Sequence, residues 1–292
     1  MTSAARWSVE GRDWPNREHS RFVDADGLRW HVQVMGTGPV LLLLHGTGAA
    51  THSWRALAPL LAQTFTIVAP DLPGHGFTTG RPAGGMAMPA MARAVGGLIR
   101  TLDVHPRGIV GHSAGAAIGA RMVLDGVADP GALIGLSAAL LPFPGLGAKL
   151  FPSLARLLFV NPLAPHLFAR LARTPGETAR FLARSTGSRI DAEGARYYQT
   201  LFARSGHCAG AITMMAAWDL DVLKRDLPRL RVPLLLIHGD ADAAIPLANA
   251  REAALTVRGA TVSPLAGLGH LAHEEQPGPV AAAIRAFMED RT

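Results

Sequence analysis

A Gly-x-Ser-x-Gly pentapeptide at residues 111–115 contains the best candidate for a nucleophile in this chain. It stands between a short apolar run at 108–110 and small residues at 116–124, a context that predicts a strand, a sharp turn and a helix. Such a turn strains the serine backbone and requires very small neighbours, because the helix packs close to the strand. We predict that Ser113 is a nucleophile and that the N–H of Ala114, at the positive end of the helix, stabilises an oxyanion.

An acid and then a histidine follow the serine, each just after a predicted strand. The apolar run 232–237 predicts a buried strand that leads into Asp242, and the run 261–265 precedes His270. An acid at the carboxyl end of a strand can hold an imidazole in one tautomer, and that imidazole can take the serine proton. The chain order of serine, acid and histidine is the one found in α/β-hydrolases. We predict that Asp242 is the acid and His270 the general base.

Two neighbouring side chains compete for these roles. Asp240 precedes Asp242 by two residues, and its simpler interpretation is a turn carboxylate that accepts hydrogen bonds from backbone amides. His273 and Glu274 follow closely after His270. If a helix begins just after His270, both are first-turn residues that point away from the cleft, whereas His270 stays on the loop.

Two other strand ends bear on the choice of the acid. Asp71 lies in the tight turn 70–76 and is interpreted as a turn-stabilising carboxylate rather than a catalytic one. The predicted strand 132–136 ends without a carboxylate, which removes the usual alternative position and favours Asp242.

The second oxyanion donor is predicted from the apolar run 40–44, which ends in a loop punctuated by glycines. Acyl transfer needs two N–H groups aimed at one oxygen, and the loop after this strand supplies the second in such folds. We assign it to the backbone of Thr47; the alternative is an ordinary strand-exit turn. We assign substrate contacts to four further residues. These are Gly46, Trp54, His112 and Phe151.

Together these motifs resemble the α/β-hydrolase superfamily over nearly the whole chain. The segments 14–17, 45–54 and 111–115 are further similar to the BchO family of magnesium-chelatase accessory proteins of bacteriochlorophyll synthesis. The first resemblance implies an α/β fold with a mostly parallel central sheet flanked by helices, and the second implies a link to the magnesium chelation step. The superfamily roles carry over to the catalytic residues Ser113, Asp242 and His270 and to the oxyanion donors Thr47 and Ala114.

The order of predicted elements divides the chain into a core and a cap. Strands and helices alternate in residues 1–140 and 219–292, which predicts two halves of one α/β core. Residues 141–218 show no strand pattern and have helical spacing of apolar residues, which predicts a helical cap inserted over the cleft. We expect most of the cap's apolar residues to pack on the core or on one another and some to line the pocket. They are Leu150, Phe151, Leu154, Leu157, Leu158, Leu167, Phe168 and Leu171.

Basic residues are concentrated in the predicted cap. Residues 141–217 contain nine basic and three acidic side chains, an excess equal to the formal net charge of +6 of the whole chain. A basic, leucine-rich lid suits a large apolar ligand with carboxylates or an anionic membrane surface; the alternative is a solvated face. Nucleic acid is not expected as a partner, because no recognition motif accompanies the charge.

Composition limits the class of protein further. A single cysteine, Cys208, excludes an intrachain disulfide, and the first 21 residues lack the apolar segment of a signal peptide. Prolines and glycines interrupt the uncharged stretch 131–148, which argues against a transmembrane helix. No histidine, cysteine and carboxylate spacing suggests a metal site, so we expect neither a metal nor a cofactor. We expect a cytoplasmic protein, with peripheral membrane attachment as an option.

The sequence is compatible with two functions. The first is a serine hydrolase that cleaves an ester or related carbonyl substrate, such as a porphyrin or another apolar carboxylate or ester. The second is a porphyrin-binding accessory or carrier protein on the same fold, with transient contact to magnesium chelatase and no bond cleavage. Fold alone does not choose between them, because function depends on the site.

Overall fold

The computed structural model describes residues 3–142, 161 and 163–289. Within these residues nine strands form a single sheet. The strands are β1 (Ser20–Ala25), β2 (Leu28–Met35), β3 (Val40–Leu44), β4 (Thr66–Pro70), β5 (Thr79–Gly80), β6 (Gly108–His112), β7 (Ala132–Leu136), β8 (Leu234–Gly239) and β9 (Thr261–Leu265).

The strand order is β1-β2-β4-β3-β6-β7-β8-β9, with β5 beside β2. The pairs that involve β2 are antiparallel, and every neighbouring pair from β4 to β9 is parallel. The predicted mostly parallel sheet is therefore confirmed. At the turn of the first hairpin, Asp26 and Gly27 have φ angles of 50° and 76°, the left-handed backbone that a tight two-residue turn requires.

Helices connect the strands. They are α1 (Leu57–Leu61), α2 (Met88–Thr101), α3 (Ala114–Leu124), α4 (Ala164–Ala172), α5 (Glu177–Thr186), α6 (Ala192–Phe202), α7 (Ser205–Ala216), α8 (Leu220–Asp226), α9 (Leu247–Thr256), α10 (Ala272–Glu275) and α11 (Pro277–Glu289). Short 3-10 helices lie at Arg17–His19, Thr51–Trp54 and Leu227–Arg229.

Strand β3 illustrates how the sheet forms two apolar layers. Successive side chains of a strand point to opposite faces. Accordingly, Leu42 and Leu44 join the cluster that contains residues of α2 and α3, whereas Leu41 and Leu43 join the cluster that contains residues of α1 and α11. All four leucines are fully buried, and each contributes roughly 1.5–3 kcal/mol by its burial. Because both faces of the sheet are covered, the strand is a continuous apolar run without alternation.

The described part of the cap is helical. Helices α4 to α7 lie between β7 and β8, inside the predicted cap at 141–218. They contact the core near the predicted site: the ring of His207 on α7 is 2.9 Å from the Gly48 carbonyl oxygen, and Thr47 Oγ1 is 3.7 Å from Met214 Sδ. The exact domain boundaries stay a prediction, because residues 143–160 lie outside the described residues.

The expected packing of the cap's apolar residues is wrong for the three that the structure describes. Leu167, Phe168 and Leu171 on α4 are 59%, 40% and 51% exposed. Leu163, Leu167 and Leu171 are spaced four residues apart and therefore form one stripe, with Arg170 beside it; we call these four residues the cap stripe. The other residues of that prediction lie outside the described residues. They are Leu150, Phe151, Leu154, Leu157 and Leu158.

Within the described ranges, no helix combines the length and the apolar character needed to cross a membrane.

Candidate active site

The serine turn has the geometry that the pentapeptide predicts. Strand β6 ends at His112, helix α3 begins at Ala114, and Ser113 between them has φ 48° and ψ −113°, a strained backbone for a residue with a side chain. A methyl group on Gly115 would lie 1.9 Å from the Leu44 carbonyl oxygen, and one on Gly111 would lie 2.3 Å from the backbone nitrogen of Ala116. The two glycines are therefore required by close approach, and they hold Ser113 at the carboxyl end of the sheet.

The predicted acid and base are hydrogen-bonded to each other. His270 Nδ1 lies 2.8 Å from Asp242 Oδ2. The other oxygen, Asp242 Oδ1, accepts hydrogen bonds of 2.8 Å from the backbone N–H groups of Ala244 and Ile245. The carboxylate is thus fixed in orientation by its own turn, and it favours the tautomer of His270 with the proton on Nδ1 and a free Nε2.

A second histidine reaches the same carboxylate. His238, at the end of β8, places Nε2 3.3 Å from Asp242 Oδ2 and 2.8 Å from the Ile245 carbonyl oxygen. Burial lowers the pKa of His238, which favours the neutral ring. This contact was not predicted from the sequence, although His238 precedes Asp242 by four residues.

His112 joins the serine turn to the loop that carries His270, residues 266–271, which we call the base loop. His112 Nε2 lies 3.0 Å from the His270 carbonyl oxygen, and the two rings are 4.8 Å apart. Burial lowers the pKa of His112 well below its usual value, helped by the neighbouring His273 and His270, so the ring is a neutral donor. Ser113 is partly buried, and its Oγ has no hydrogen-bond partner among the described residues. Catalytic hydrogen bonds are often long without substrate and tighten in the complex.

One predicted oxyanion donor, Ala114, follows Ser113 directly, and the other, Thr47, follows Gly46, whose backbone packs against Ser113. The backbone N–H groups of Thr47 and Ala114 have no acceptor among the described residues. Gly46 brings the two loops together, since a methyl group there would lie 3.2 Å from Ser113 Cβ and 2.7 Å from His112 Nδ1. Two unpaired N–H groups beside one nucleophile are what an oxyanion hole requires.

The competing carboxylates have structural partners. Asp240 Oδ1 accepts a 2.7 Å hydrogen bond from the N–H of Gly267, as expected for a turn carboxylate. Asp71 is fully buried and accepts hydrogen bonds from His31 and from the N–H groups of Thr51 and Phe77. Burial favours a higher pKa for the Asp71 carboxyl, but His31, His45 and the N–H of Phe77 hold that pKa well below its usual value. Both carboxylates therefore bond backbone amides, as predicted, but Asp240 reaches the loop after β9, and Asp71 also binds groups outside its own turn.

His273 and Glu274 begin α10, as predicted, but they are buried in a polar network. His273 Nε2 and Glu274 Oε1 lie 2.9 and 2.7 Å from Ser53 Oγ, and the ring of His273 is 4.5 Å from that of His112. Glu274 also pairs with Arg55 and accepts a 2.7 Å hydrogen bond from the hydroxyl of Tyr198 on α6. The expectation that they simply point away is incomplete: they tie the base loop to the cap. Burial raises the pKa of the Glu274 carboxyl and lowers that of His273 to about 3.

The four residues assigned to substrate contacts have different positions. Gly46 borders Ser113, as described above. Trp54 is fully buried in the core cluster of α1 and α11, with its ring 4.9 Å from that of His273, so the structure places it in the core instead of a pocket wall. His112 is buried and linked to His270, a contact that suits positioning better than substrate binding. Phe151 lies outside the described residues.

Known proteins are similar to this chain over almost its full length. A model of the alpha/beta hydrolase family matches residues 41–283. The chain belongs to this family. It is 36% identical over 279 residues to the magnesium-chelatase 30 kDa subunit of Rhodobacter capsulatus, covering 95% of this chain and 97% of that protein. Both resemblances inferred from the sequence, to the superfamily and to the magnesium-chelatase accessory proteins, are confirmed.

Solved structures agree on the fold. The epoxide hydrolase CorEH has a TM-score of 0.78 and 22% identity, covering 93% of this chain and 98% of that chain. A thermophilic esterase from Thermogutta terrifontis has a TM-score of 0.74 and 21% identity, covering 93% and 100%. At this identity the likeness establishes the α/β-hydrolase fold.

Proposed function

We propose that this protein is a serine hydrolase that uses Ser113, His270 and Asp242 to cleave an ester or related carbonyl substrate. The observation that carries the proposal is the 2.8 Å contact between His270 Nδ1 and Asp242 Oδ2. His112, which precedes the strained Ser113, also bonds the main chain of His270 and so links the base to the serine turn. A base oriented by a buried acid is the arrangement that activates a serine hydroxyl.

The reaction follows from these positions. Ser113 Oγ attacks the carbonyl carbon while His270 Nε2 takes its proton, and the imidazolium is stabilised by the Asp242 carboxylate. The carbonyl oxygen becomes an oxyanion and accepts hydrogen bonds from the N–H groups of Thr47 and Ala114. Collapse expels the alcohol, which receives the proton from His270. Water, deprotonated by His270, then attacks the acyl-serine; the second oxyanion collapses, the acid leaves, and His270 returns its proton to Ser113 Oγ.

The substrate class is proposed from the cap and from the similarity to a chelatase subunit. The cap is basic, and part of its apolar surface is uncovered at the cap stripe. Such a surface suits a large apolar molecule with carboxylates, and a porphyrin carboxylate or ester has this chemistry. By similarity to the Rhodobacter capsulatus protein, we propose transient contact with a magnesium chelatase. The exposed leucines beside Arg170 equally suit peripheral contact of a cytoplasmic protein with an anionic membrane.

A second candidate is a non-catalytic accessory protein that binds a porphyrin and delivers it. It is favoured by the 36% identity to a protein that is a subunit of a magnesium chelatase, and by the absence of a hydrogen-bond partner for Ser113 Oγ among the described residues. The hydrolase is the better supported candidate, because a carrier has no need for an oriented acid–base pair and two free N–H donors beside a serine.

Reaction with a fluorophosphonate probe followed by peptide mapping tests the proposal. We expect the label on Ser113 in the folded protein and its loss after Ser113→Ala. The matched control is Ser185→Ala on α5, whose hydroxyl bonds only the backbone of its own helix. A label on another serine, or none on folded protein, would overturn the hydrolase and leave the carrier.

A further inference from the structure

We propose that residues 186–189, at the carboxyl end of cap helix α5, position the acid and base loops of the triad. We call these four residues the cap clamp. The inference rests on the proposed function, since it concerns how the same His270 and Asp242 are held. No sequence motif marks this segment, which lies more than 50 residues from either loop.

The first contact joins the cap clamp to both loops at one atom. The Thr186 carbonyl oxygen accepts a 2.9 Å hydrogen bond from the N–H of His270 and a 3.3 Å bond from the N–H of Ala243, the residue after the acid. A carbonyl oxygen has two lone pairs and can accept both bonds. The main chain of the base and that of the acid loop are therefore fixed relative to one cap residue.

The second contact uses a buried hydroxyl. Ser188 is 2% exposed, and its Oγ accepts a 2.8 Å hydrogen bond from the N–H of Leu271, the residue after the base. The N–H of Ser188 in turn donates to Thr186 Oγ1 at 3.1 Å, which keeps the segment in one conformation.

The third contact runs through a carboxylate. The N–H of Arg189 donates to Glu275 Oε2 at 2.9 Å, and Glu275 Oε1 accepts a 2.8 Å bond from the N–H of Gly269, the residue before the base. The N–H groups of residues 269, 270 and 271 therefore all donate to the cap clamp or to the Glu275 carboxylate, which the cap clamp holds. Because the base lies between β9 and α10, outside regular secondary structure, these bonds replace the support that a helix or strand would supply.

Close packing shows that the fit is tight. Gly187 ends α5 with φ 70°, and a methyl group there would lie 2.4 Å from the Ala241 carbonyl oxygen. A methyl group on Gly269 would lie 2.5 Å from Ser188 Oγ. Reacting groups that are displaced by about 1 Å can lose about 100-fold in rate, so a clamp at this point controls catalysis without touching substrate.

Gly187→Ala tests the proposal, with Gly176→Ala as its matched control. Gly176 flanks the other end of α5, has φ 77°, and would meet nothing within 4 Å if it carried a methyl group. Both variants suffer the strain of a left-handed backbone, but only Gly187→Ala pushes against the acid loop. We expect the rate of Ser113 labelling by the probe to fall at least about tenfold in Gly187→Ala relative to Gly176→Ala.

A spectroscopic measurement separates this inference from the proposed function. In ¹H–¹⁵N NMR spectra, the Nδ1 proton of His270 reports its bond to Asp242 whether or not the protein is a hydrolase. We expect that signal to shift in Gly187→Ala and to match wild type in Gly176→Ala. If Ser113 is never labelled but the signal shifts, the hydrolase fails and the clamp stands.

Ser188→Ala provides a milder variant in case Gly187→Ala does not fold. It removes the acceptor of the Leu271 N–H and leaves the backbone unchanged, and Ser185→Ala, in the last turn of the adjoining helix α5, is its control. We expect a weaker shift of the same His270 signal and a labelling rate lower by a few-fold. If Gly187→Ala or Ser188→Ala folds and yet matches its control in both measurements, the cap clamp has no positioning role.

Discussion

The nucleophile and the base of the proposed triad are held in different ways. Ser113 is fixed by its immediate neighbours in the sequence: strand β6, helix α3 and two glycines that permit close approach. His270 lies on a loop and is fixed by partners far away in the chain, including Asp242, His112 and the cap clamp. Half of the site is therefore a local motif, and the other half depends on tertiary contacts, including those of the cap.

The largest expected effect is on the nucleophile side. Ser113→Ala should lower kcat for a simple aryl ester by about 10⁶, because removal of the nucleophile abolishes the acyl-enzyme route. Steady-state hydrolysis of a p-nitrophenyl ester measures this, with Ser185→Ala as the control that keeps full activity. Undiminished hydrolysis by Ser113→Ala would contradict the assignment.

The next effect tests the tertiary partner of the base. Asp242→Asn should lower kcat by about 10⁴, because the amide no longer favours the productive tautomer of His270. Asp240→Asn is the matched control, since it changes a neighbouring carboxylate that accepts a bond from the Gly267 N–H instead of from the His270 ring. Equal losses in the two variants would show that the acid was wrongly chosen.

Low pH should destabilise the folded protein, because buried histidines near the site must stay uncharged. Burial lowers the pKa of His207 to about 4 and that of His273 to about 3, from a usual value of 6.5. Between the folded value and 6.5 the unfolded chain binds a proton that the folded chain does not. The free energy of unfolding should therefore fall as the pH is lowered through this window, by about 1.4 kcal/mol per pH unit for each histidine.

Urea denaturation at pH 7.5, 6.0 and 5.0 measures this dependence. His207→Gln keeps a donor and an acceptor near Gly48 and Gly76 but cannot titrate. We expect the free energy of unfolding of this variant to fall less steeply with decreasing pH, because one histidine no longer contributes to the slope. If the free energy of unfolding depends on pH as steeply in the variant as in wild type, His207 does not contribute to the pH dependence.

A smaller effect concerns the packing that holds the nucleophile. Gly115→Ala should cost about 1–3 kcal/mol, because the added methyl group meets the Leu44 carbonyl oxygen and the helix must shift. Gly278→Ala on α11 is the control, since a methyl group there meets nothing within 4 Å, and it should be neutral or slightly stabilising. Thermal denaturation compares the two, and equal melting temperatures would show that α3 tolerates the displacement.

The smallest effect concerns the cap as a ligand surface. Reversal of Arg170, Arg173 and Arg180 to Glu should weaken binding of a dicarboxylic porphyrin by about tenfold at low salt, and less at 1 M salt, where the Debye length is about 3 Å. Fluorescence titration of the porphyrin and its dimethyl ester measures this. The control reverses three exposed arginines outside the cap, Arg21, Arg251 and Arg258. Equal affinities for acid and ester would mean that the basic residues only face solvent.

Much of the fold was predictable because its signals are local. The apolar run that became β3 is buried on both faces, and the Asp26-Gly27 turn adopts the left-handed angles that its residue types favour. The packing of the cap was not predictable: Leu167 and Leu171 follow the same helical spacing as core residues but are exposed. Spacing identifies the apolar face of a helix and does not say whether anything covers it.

The apolar runs that form the strands, the strained turn at Ser113 and the acid and base candidates could be read from the sequence, since each depends on residues within a few positions of one another. Only the tertiary structure decided that His270 meets Asp242, that Trp54 belongs to the core, and that residues 186–189 hold both loops. The physical reason is that loop backbone must find hydrogen-bond partners wherever the fold brings them, and separation along the chain does not reveal which partners those are.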